Sequence, residues 1–249
     1  MSNLERLNLN LYLSTGKTLI DGTNLKTNIL DHFSRLEKFT FTITSSLRFS
    51  NQIDFPSNED IQNTFTGFPN NSIISSVDHF QDEQFIRCLI YTYPYRLKYY
   101  HHISNHFSGG LFECVREVGL YDEHPFEYEF FLRIHKAFPF LTHLSIHNYK
   151  AQQQKNNDEE LPIIEYPYLT NLSLNRAHDD YRELFLDETK VCLSKNLHLN
   201  LSYKPMKRIT HSFTRDATRT NCAKLKSVSL GVTWISKYLR NYFPHTQIS

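Results

Sequence analysis

Glycine and cysteine are scarce in this chain, and each shortage argues against a class of site. The 249 residues include 7 glycines and 4 cysteines. Loops that cradle phosphate on backbone amides need clustered glycines. Gly16-Lys17-Thr18 matches only the end of such a motif, because Leu11 stands where its first glycine belongs. The cysteines form no CxxC or CxH pair, so neither a redox motif nor a zinc knuckle is indicated. We therefore expect no cofactor and no metal.

Long apolar runs are also missing. The N-terminal residues Met1-Ser2-Asn3-Leu4-Glu5-Arg6 lack the basic start and apolar segment of a signal peptide. No apolar stretch approaches the roughly 18 residues that a membrane helix needs. Hydrophobic residues still make up 40% of the chain and aromatic residues 14%, enough for a packed core. We expect a folded protein of the cytoplasm or nucleus that does not associate with a membrane.

Positive charge is concentrated near the C-terminus, although the formal net charge is only +1. From Lys204 onward nine Lys or Arg residues stand against a single acid, Asp216, so this segment carries +8 and residues 1–203 carry −7. The segment contains no known motif for stacking bases or entering a groove. We do not expect a nucleic acid partner, and an acidic protein partner fits the charge at least as well.

A recurring phrase, Leu-x-x-Leu-x-Leu with conservative replacements, is the most informative signal in the sequence. The middle residues of its copies lie 25–32 residues apart, except for one gap of 49. Most of these spacings are close to the 20–29 residues of a leucine-rich repeat. The copies are Leu4-x-x-Leu7-x-Leu9, Leu36-x-x-Phe39-x-Phe41, Phe85-x-x-Cys88-x-Ile90, Val115-x-x-Val118-x-Leu120, Leu141-x-x-Leu144-x-Ile146, Leu169-x-x-Leu172-x-Leu174, Leu225-x-x-Val228-x-Leu230 and a degenerate Leu197-x-Leu199.

Polar residues alternate with the apolar positions of these phrases. Side chains alternate between the two faces of a strand, so the pattern predicts parallel strands whose sheet has one solvent-exposed face. A doubly wound sheet would be apolar on both faces. We therefore predict an α/β leucine-rich-repeat solenoid, or horseshoe, with parallel strands on the concave face and helices on the convex face. The candidate interaction face comprises Lys38, Thr40, Glu117, Tyr121, His143, Ser145, His147, Asn171, Ser173, Asn175, His198 and Asn200.

Helical patterns separate the strand phrases, and each leads to the next phrase. They cover Thr23 to Phe33, Pro125 to Phe138, a segment capped by Asp179 or Asp180, a segment after Pro205, and Trp234 to Phe243. Two polar regions interrupt the alternation of strand phrases and helical patterns. We expect an inserted loop at 44–84 and a solvated loop at 151–160. The whole chain, 1–249, is predicted to be a single repeat domain.

The ionisable residues do not form a recognisable catalytic or metal motif. His101, His102 and His106 could share a helix face, but the Glu of a zinc-binding HExxH motif is missing. Asp179, Asp180 and Glu183 fall at a predicted helix start, where acids stabilise exposed amides. We therefore predict no catalytic residue. His143 and His147, expected on the polar side, could make partner binding depend on pH near 6.5.

Several connecting segments resemble the repeat half of F-box proteins with leucine-rich repeats. The segments are His124-Pro-Phe-Glu-Tyr-Glu-Phe-Phe131, Ala137-Phe-Pro-Phe-Leu-Thr-His-Leu144, Tyr166-Pro-Tyr-Leu-Thr-Asn-Leu172, Ala177-His-Asp-Asp-Tyr-Arg-Glu-Leu-Phe-Leu186 and Thr210-His-Ser-Phe-Thr-Arg-Asp-Ala-Thr218. The resemblance covers about residues 85–245. In that family an N-terminal F-box docks to the core of a ubiquitin ligase, and the repeats hold the substrate. A repeat phrase already begins at Leu4, so we expect ligase recruitment only if an F-box is encoded upstream.

The resemblance implies a protein-interaction module that acts as the substrate-recognition half of a ubiquitin ligase receptor. Two alternatives stay open. The chain could be a stand-alone repeat scaffold or truncated remnant without a ligase role. It could also be a hydrolytic enzyme on an α/β scaffold, which would need a pocket where His, Asp or Glu side chains converge.

Overall fold

The computed structural model describes residues 4–14, 18–49, 55–68, 72–154, 161–232 and 237–249. Gly16 and Lys17, and most of the polar tract at 151–160, lie outside these ranges. The chain is α/β with mostly parallel strands. It divides into two compact units, Met1–Tyr95 and Arg96–Ser249.

The first unit is built around one four-stranded sheet with the order β1-β2-β4-β3. Its elements are β1 (Arg6–Leu13), α1 (Gly22–Asn28), a 3-10 turn (Leu30–His32), β2 (Lys38–Arg48), α2 (Asn58–Asn63), β3 (Ile73–Phe80) and β4 (Phe85–Thr92). Strand β1 pairs with β2 in parallel, in the register that the repeat phrases predict: Leu7 is opposite Phe39 and Leu9 is opposite Phe41. The apolar side chains of β1 and β2 contribute to a core closed by Leu25 of α1 and Ile61 of α2.

The third phrase, around Cys88, does not continue this parallel pattern. Strand β4 is antiparallel to both β2 and β3, and Cys88 pairs with Ser45 and Val77. Only residues 81–84 connect β3 to β4, which is too short for a parallel crossover but suits a hairpin. The structure also corrects the loop expected at 44–84, because this segment contains the end of β2, the whole of α2 and the whole of β3.

The second unit is built around a seven-stranded sheet, and every pair of neighbouring strands in it is parallel. The order β13-β12-β11-β9-β7-β6-β5 follows the chain, so each strand lies beside the preceding strand of that sheet. The strands are β5 (Tyr99–Ile103), β6 (Glu117–Tyr121), β7 (His143–Asn148), β9 (Asn171–Ala177), β11 (Leu197–Asn200), β12 (Leu225–Ser229) and β13 (Gln247–Ile248).

The remaining elements of the second unit connect these strands. They are α3 (Tyr128–Ala137), β8 (Ile164–Tyr166), α4 (Asp179–Leu186), β10 (Val191–Leu193), α5 (Tyr203–Ile209), a 3-10 turn (Asp216–Thr218), α6 (Arg219–Ala223) and α7 (Lys237–Tyr242). Strands β8 and β10 form a separate two-stranded parallel sheet. Parallel strands need such crossover segments to connect them. The packing of these segments against the large sheet buries one of its faces.

A continuous row of buried aliphatic side chains crosses the seven-stranded sheet, as the repeat phrases predict. Val118 is opposite Leu144, and Leu144 is opposite Leu172. Leu199 pairs with both Leu172 and Val228, whereas the degenerate phrase predicts Leu197, as its middle residue, for this position. The members of the row are at most 2% exposed, so the row is part of the core.

Helices α3, α4, α5 and α7 overlap the predicted helical patterns. Trp234, where the last of these patterns begins, lies outside the described residues. Helix α3 ends at Ala137, immediately before Phe138 and Pro139, and it buries Phe130, Phe131 and Ile134. Helix α4 is capped by neither Asp179 nor Asp180. The side chain of His178 accepts a hydrogen bond from the Asp180 backbone N–H.

Asp179 instead joins two helices through two arginines. Its carboxylate accepts hydrogen bonds from Arg182 Nη1 at 2.6 Å and from Arg208 Nε at 2.7 Å. The Arg182 side chain is 8% exposed and also donates to the carbonyl oxygens of Leu174 and Asn175. Burial raises the pKa of Asp179, but hydrogen bonds from Arg208 and Arg182 outweigh it and hold the pKa below its usual value.

We predict that Asp179→Asn lowers the free energy of unfolding by about 2 kcal/mol at pH 7, because it leaves the buried Arg182 without its counter-charge. The contribution of a carboxylate with a lowered pKa is present above its unfolded value, near 3.9, and is lost as pH falls through the folded value. The deficit of the variant should therefore shrink below about pH 4. Urea titrations at pH 7 and pH 3 measure this.

Asp216→Asn is the matched control, because the Asp216 side chain is 92% exposed beside Arg219. It should change the stability by less than about 0.5 kcal/mol. If the two variants cost the same at pH 7, the structural role given to Asp179 is wrong.

Candidate docking face

The second unit exposes a broad polar face on its seven-stranded sheet, on the side opposite the buried aliphatic row. The polar face is defined by the outward side chains that line two cavities along the strands. It consists of His101, His102, Glu117, His143, Ser145, His147, Asn171, Ser173, Asn175, Arg176, His198, Asn200, Ser227 and Ser229.

Strand register brings these side chains into rows. Glu117 is opposite His143, and His143 is opposite Asn171, which is opposite His198. Neighbouring strands lie about 4.8 Å apart, so consecutive members of a row are in reach of one bound segment. The two cavities, of about 400 and 370 Å³, share residues such as Ser145 and therefore adjoin. Together they form one open depression across the strands.

Hydrogen bonds fix the orientation of His143. Its Nδ1 lies 2.8 Å from Thr142 Oγ1, which donates to the Arg116 carbonyl oxygen at 2.9 Å. Its Nε2 lies 2.8 Å from Asn171 Nδ2, an amide nitrogen that can only donate. In this arrangement Nδ1 faces a hydroxyl oxygen that can accept, and Nε2 faces an amide nitrogen that donates.

Further contacts between strands hold the rest of the polar face. Asn175 Nδ2 donates to Asn200 Oδ1 at 2.7 Å, and Asn175 Oδ1 accepts from the backbone N–H of Ser202 at 2.8 Å. His198 Nδ1 lies 2.5 Å from Ser227 Oγ. Side chains fixed in this way lose little freedom when a partner binds, which favours a preformed binding surface.

Two histidines that could share a helix face according to the sequence lie in a strand at the β5 end of the polar face. His101 and His102 lie in strand β5, where the register shifts between Tyr100 and Ile103. A bulge of this kind re-aims side chains, and both histidines are exposed and line the second cavity. The strand was missed because its two consecutive polar residues break the alternation, although Leu97-x-x-Tyr100 is the start of a repeat phrase.

Gly119 makes room for one of these histidines. A methyl group on Gly119 would lie 3.1 Å from His101 Nδ1 and 3.4 Å from Ser145 Oγ. The glycine therefore lets the His101 ring lie close against strand β6, where His101 Nε2 is 3.7 Å from Glu117 Oε1.

Arg176 was also missed, for a similar reason. Strict alternation along β9 would turn it inward after Asn175, but the register shifts between Ser145 and His147 and places Arg176 opposite His147. Arg176 is exposed and lines the second cavity. Within the described ranges, no acidic side chain forms an ion pair with its guanidinium.

Nine of the twelve predicted face residues line the polar face as expected. Lys38 and Thr40 do not belong to it, because they lie on β2 in the sheet of the first unit. Tyr121 lines the second cavity but is only 7% exposed, with its ring 5.1 Å from the His147 ring and 6.0 Å from the His102 ring. Tyr121 therefore packs against the two histidine rings and contributes little exposed surface.

The basic C-terminal segment is partly neutralised by acids of the second unit. Arg208 pairs with Asp179, and Arg215 Nη1 lies 3.0 Å from a carboxylate oxygen of Glu183. Lys204, Lys207 and Arg208 nevertheless line a shallow depression near α5. Asp179 and Glu183, which the sequence places near a helix start, therefore form ion pairs with arginines.

No group of three or more His, Cys, Asp or Glu side chains that could hold a metal ion occurs among the residues the structure describes. Over the same ranges, no helix has the length and apolar character to cross a membrane. No family model matches the chain, and no curated protein or solved structure is significantly similar to it.

Proposed function

We propose that the chain is a leucine-rich-repeat solenoid that binds another protein through the polar face of its second unit. The observation that carries the proposal is the sheet from β5 to β13, in which parallel strands follow the chain order with polar rows on one side and leucine-type rows on the other. Repeat solenoids stack one strand–helix unit on the next in this order. The polar face would be the concave side.

The mechanism is complementarity of shape and hydrogen bonding across several strands. A partner that spans from His101 to Ser229 would contact side chains from six strands, which gives specificity without any chemical step. Hydroxyl, amide and imidazole groups on the polar face can donate or accept hydrogen bonds. Interfaces of this polar type depend on preformed geometry more than on apolar area.

The resemblance to F-box proteins with leucine-rich repeats supports a narrower form of the proposal. In that form the bound protein is a ubiquitylation substrate, and the chain acts in the cytoplasm or nucleus. The alternative is a scaffold without a ligase role. Co-purification of a ubiquitin ligase core with the complete natural protein would support the receptor, and its absence would favour the scaffold.

We predict that Ser145→Trp weakens partner binding by tenfold or more. Ser145 is exposed and lines both cavities, so an indole ring there would obstruct their junction. Partners captured with the full chain would first be purified, and the dissociation constant then measured for each variant. Circular dichroism would verify that the variant is folded.

Lys136→Trp is the matched control, because Lys136 is exposed on helix α3 and lines neither cavity. It should leave the dissociation constant within about twofold. Equal binding by wild type and Ser145→Trp, or an equal loss with Lys136→Trp, would refute the polar face as the docking site.

A further inference from the structure

We infer that the polar face binds an acidic segment of the partner, rich in Asp and Glu. This inference rests on the proposed function and names the chemistry that the same face recognises. The polar face carries five histidines and Arg176, and Glu117 is the only acidic residue that lines either cavity within the described ranges. Glu117 already has His101 Nε2 at 3.7 Å.

Hydrogen-bond donors outnumber acidic groups across the whole depression. The Asn171 and Asn175 amide nitrogens already donate to neighbouring side chains, whereas the hydroxyls of Ser145 and Ser173 and the Arg176 guanidinium can donate to a partner. Carboxylates only accept when ionised, and a charged acceptor makes stronger hydrogen bonds than a neutral one. An Asp/Glu-rich segment therefore satisfies this surface better than a neutral or basic segment does.

The type of positive group favours carboxylates over phosphates. Sites that recognise phosphorylated segments or nucleic acid use clusters of Arg and Lys. Arg176 is the only Arg or Lys residue that lines the two cavities within the described part of the chain. Histidines spread over several strands suit single negative charges distributed along a segment, which is how Asp and Glu side chains present them.

Binding should strengthen as pH falls from 7.5 to 5.5. Histidines gain positive charge over this range, whereas most Asp and Glu side chains stay ionised down to about pH 4. The charged and titratable groups that face the histidines are Glu117 from β6, Arg176 from β9, and the tyrosines Tyr99 and Tyr121.

The test uses the full chain and a fluorescein-labelled decapeptide of alternating Glu and Ser. The comparison probes are the same peptide with Gln for Glu, a phosphoserine peptide of equal net charge, and a thymidine oligonucleotide. Fluorescence anisotropy gives each dissociation constant at pH 7.5 and 5.5. The Glu peptide should bind about tenfold more tightly at pH 5.5, and the Gln peptide should bind weakly at both values.

The double variant Arg176→Gln/His147→Gln should weaken Glu-peptide binding about tenfold at pH 5.5. Arg240→Gln/His245→Gln removes the same residue types from exposed positions outside both cavities and should change it less than twofold. Any one of four results would overturn the inference. They are failure of the Glu peptide to bind at millimolar concentration, equal binding of the Gln peptide, tighter binding of the phosphopeptide or oligonucleotide, and an equal loss in the control variant.

The two claims can fail separately. If the Glu peptide does not bind while Ser145→Trp still weakens partner binding, the polar face remains the docking site and the inference of an acidic ligand is wrong. If Ser145→Trp has no effect on the partner, the proposed function fails as well.

Discussion

Phe131→Ala should lower the free energy of unfolding of the second unit by about 4 kcal/mol, in the range typical of Phe-to-Ala changes in a core. Phe131 is fully buried on helix α3. Its ring centroid lies 5.4 Å from that of Phe185 and 5.9 Å from that of Tyr181, both on helix α4. The substitution would remove the ring that joins two successive helices and leave a cavity between them.

Phe140→Ala is the matched control, because the same change is made at a residue that is 38% exposed. Phe140 contacts Tyr168 and lies beneath the Arg116 guanidinium, so a cost of about 1 kcal/mol or less is expected. Chemical denaturation followed by circular dichroism measures both. Comparable losses in the two variants would contradict the packing described for α3 and α4.

Gly22→Ala should destabilise the first unit by about 2–3 kcal/mol, although alanine is normally favoured over glycine in a helix by up to about 1 kcal/mol. A methyl group on Gly22 would lie 2.3 Å from the Thr64 carbonyl oxygen and 2.6 Å from its carbon. The Gly22 N–H also donates to Thr64 Oγ1 at 2.7 Å. The clash is with backbone, so α1 and the end of α2 would have to separate.

Hydrogen exchange is the appropriate measurement, because it reports the first unit without requiring the whole chain to unfold in one step. Amides of α1 and α2 should exchange about 30-fold or more faster in Gly22→Ala. Lys26→Ala, at an exposed position of the same helix, should leave exchange nearly unchanged. Slower exchange in Gly22→Ala would mean that helix propensity dominates and that the close approach is wrong.

The parallel ladder of the second unit was predictable because one local rule determines it. Each phrase places its apolar residues on one side of a strand, and a segment long enough for a crossover follows. Val118, Leu144 and Leu172 therefore align with no further information. The degenerate phrase predicts Leu197 instead of Leu199 for this row, because the short strand β11 has apolar residues at both positions.

The antiparallel part of the first unit could not be found with the same rule. Strand β3 contains Ser75, Ser76 and Asp78, and this polar composition led to the prediction of a loop. In the structure, Asp78 pairs with Arg87 on the adjacent strand, and both side chains are buried. A composition rule treats each residue alone, whereas burial of these two depends on their pairing across the hairpin.

Sequence reasoning missed residues of the polar face where the backbone departs from strict alternation. The bulge in β5 exposes His101 and His102, and the register shift beside β9 exposes Arg176. An extra residue in a strand leaves little trace in a polar sequence, since exposed positions accept many residue types. Strand register therefore aligns nine of the predicted residues on the polar face, while His101, His102 and Arg176 are found there only from the structure.

Site-specific photo-crosslinking tests the docking claim most directly. A benzophenone amino acid would be placed at Ser145, on the polar face, and in a second sample at Lys136, on helix α3. The account predicts that partner protein crosslinks to position 145 and not to position 136, and that free Glu-rich peptide reduces the yield. Crosslinking only from position 136 would contradict it.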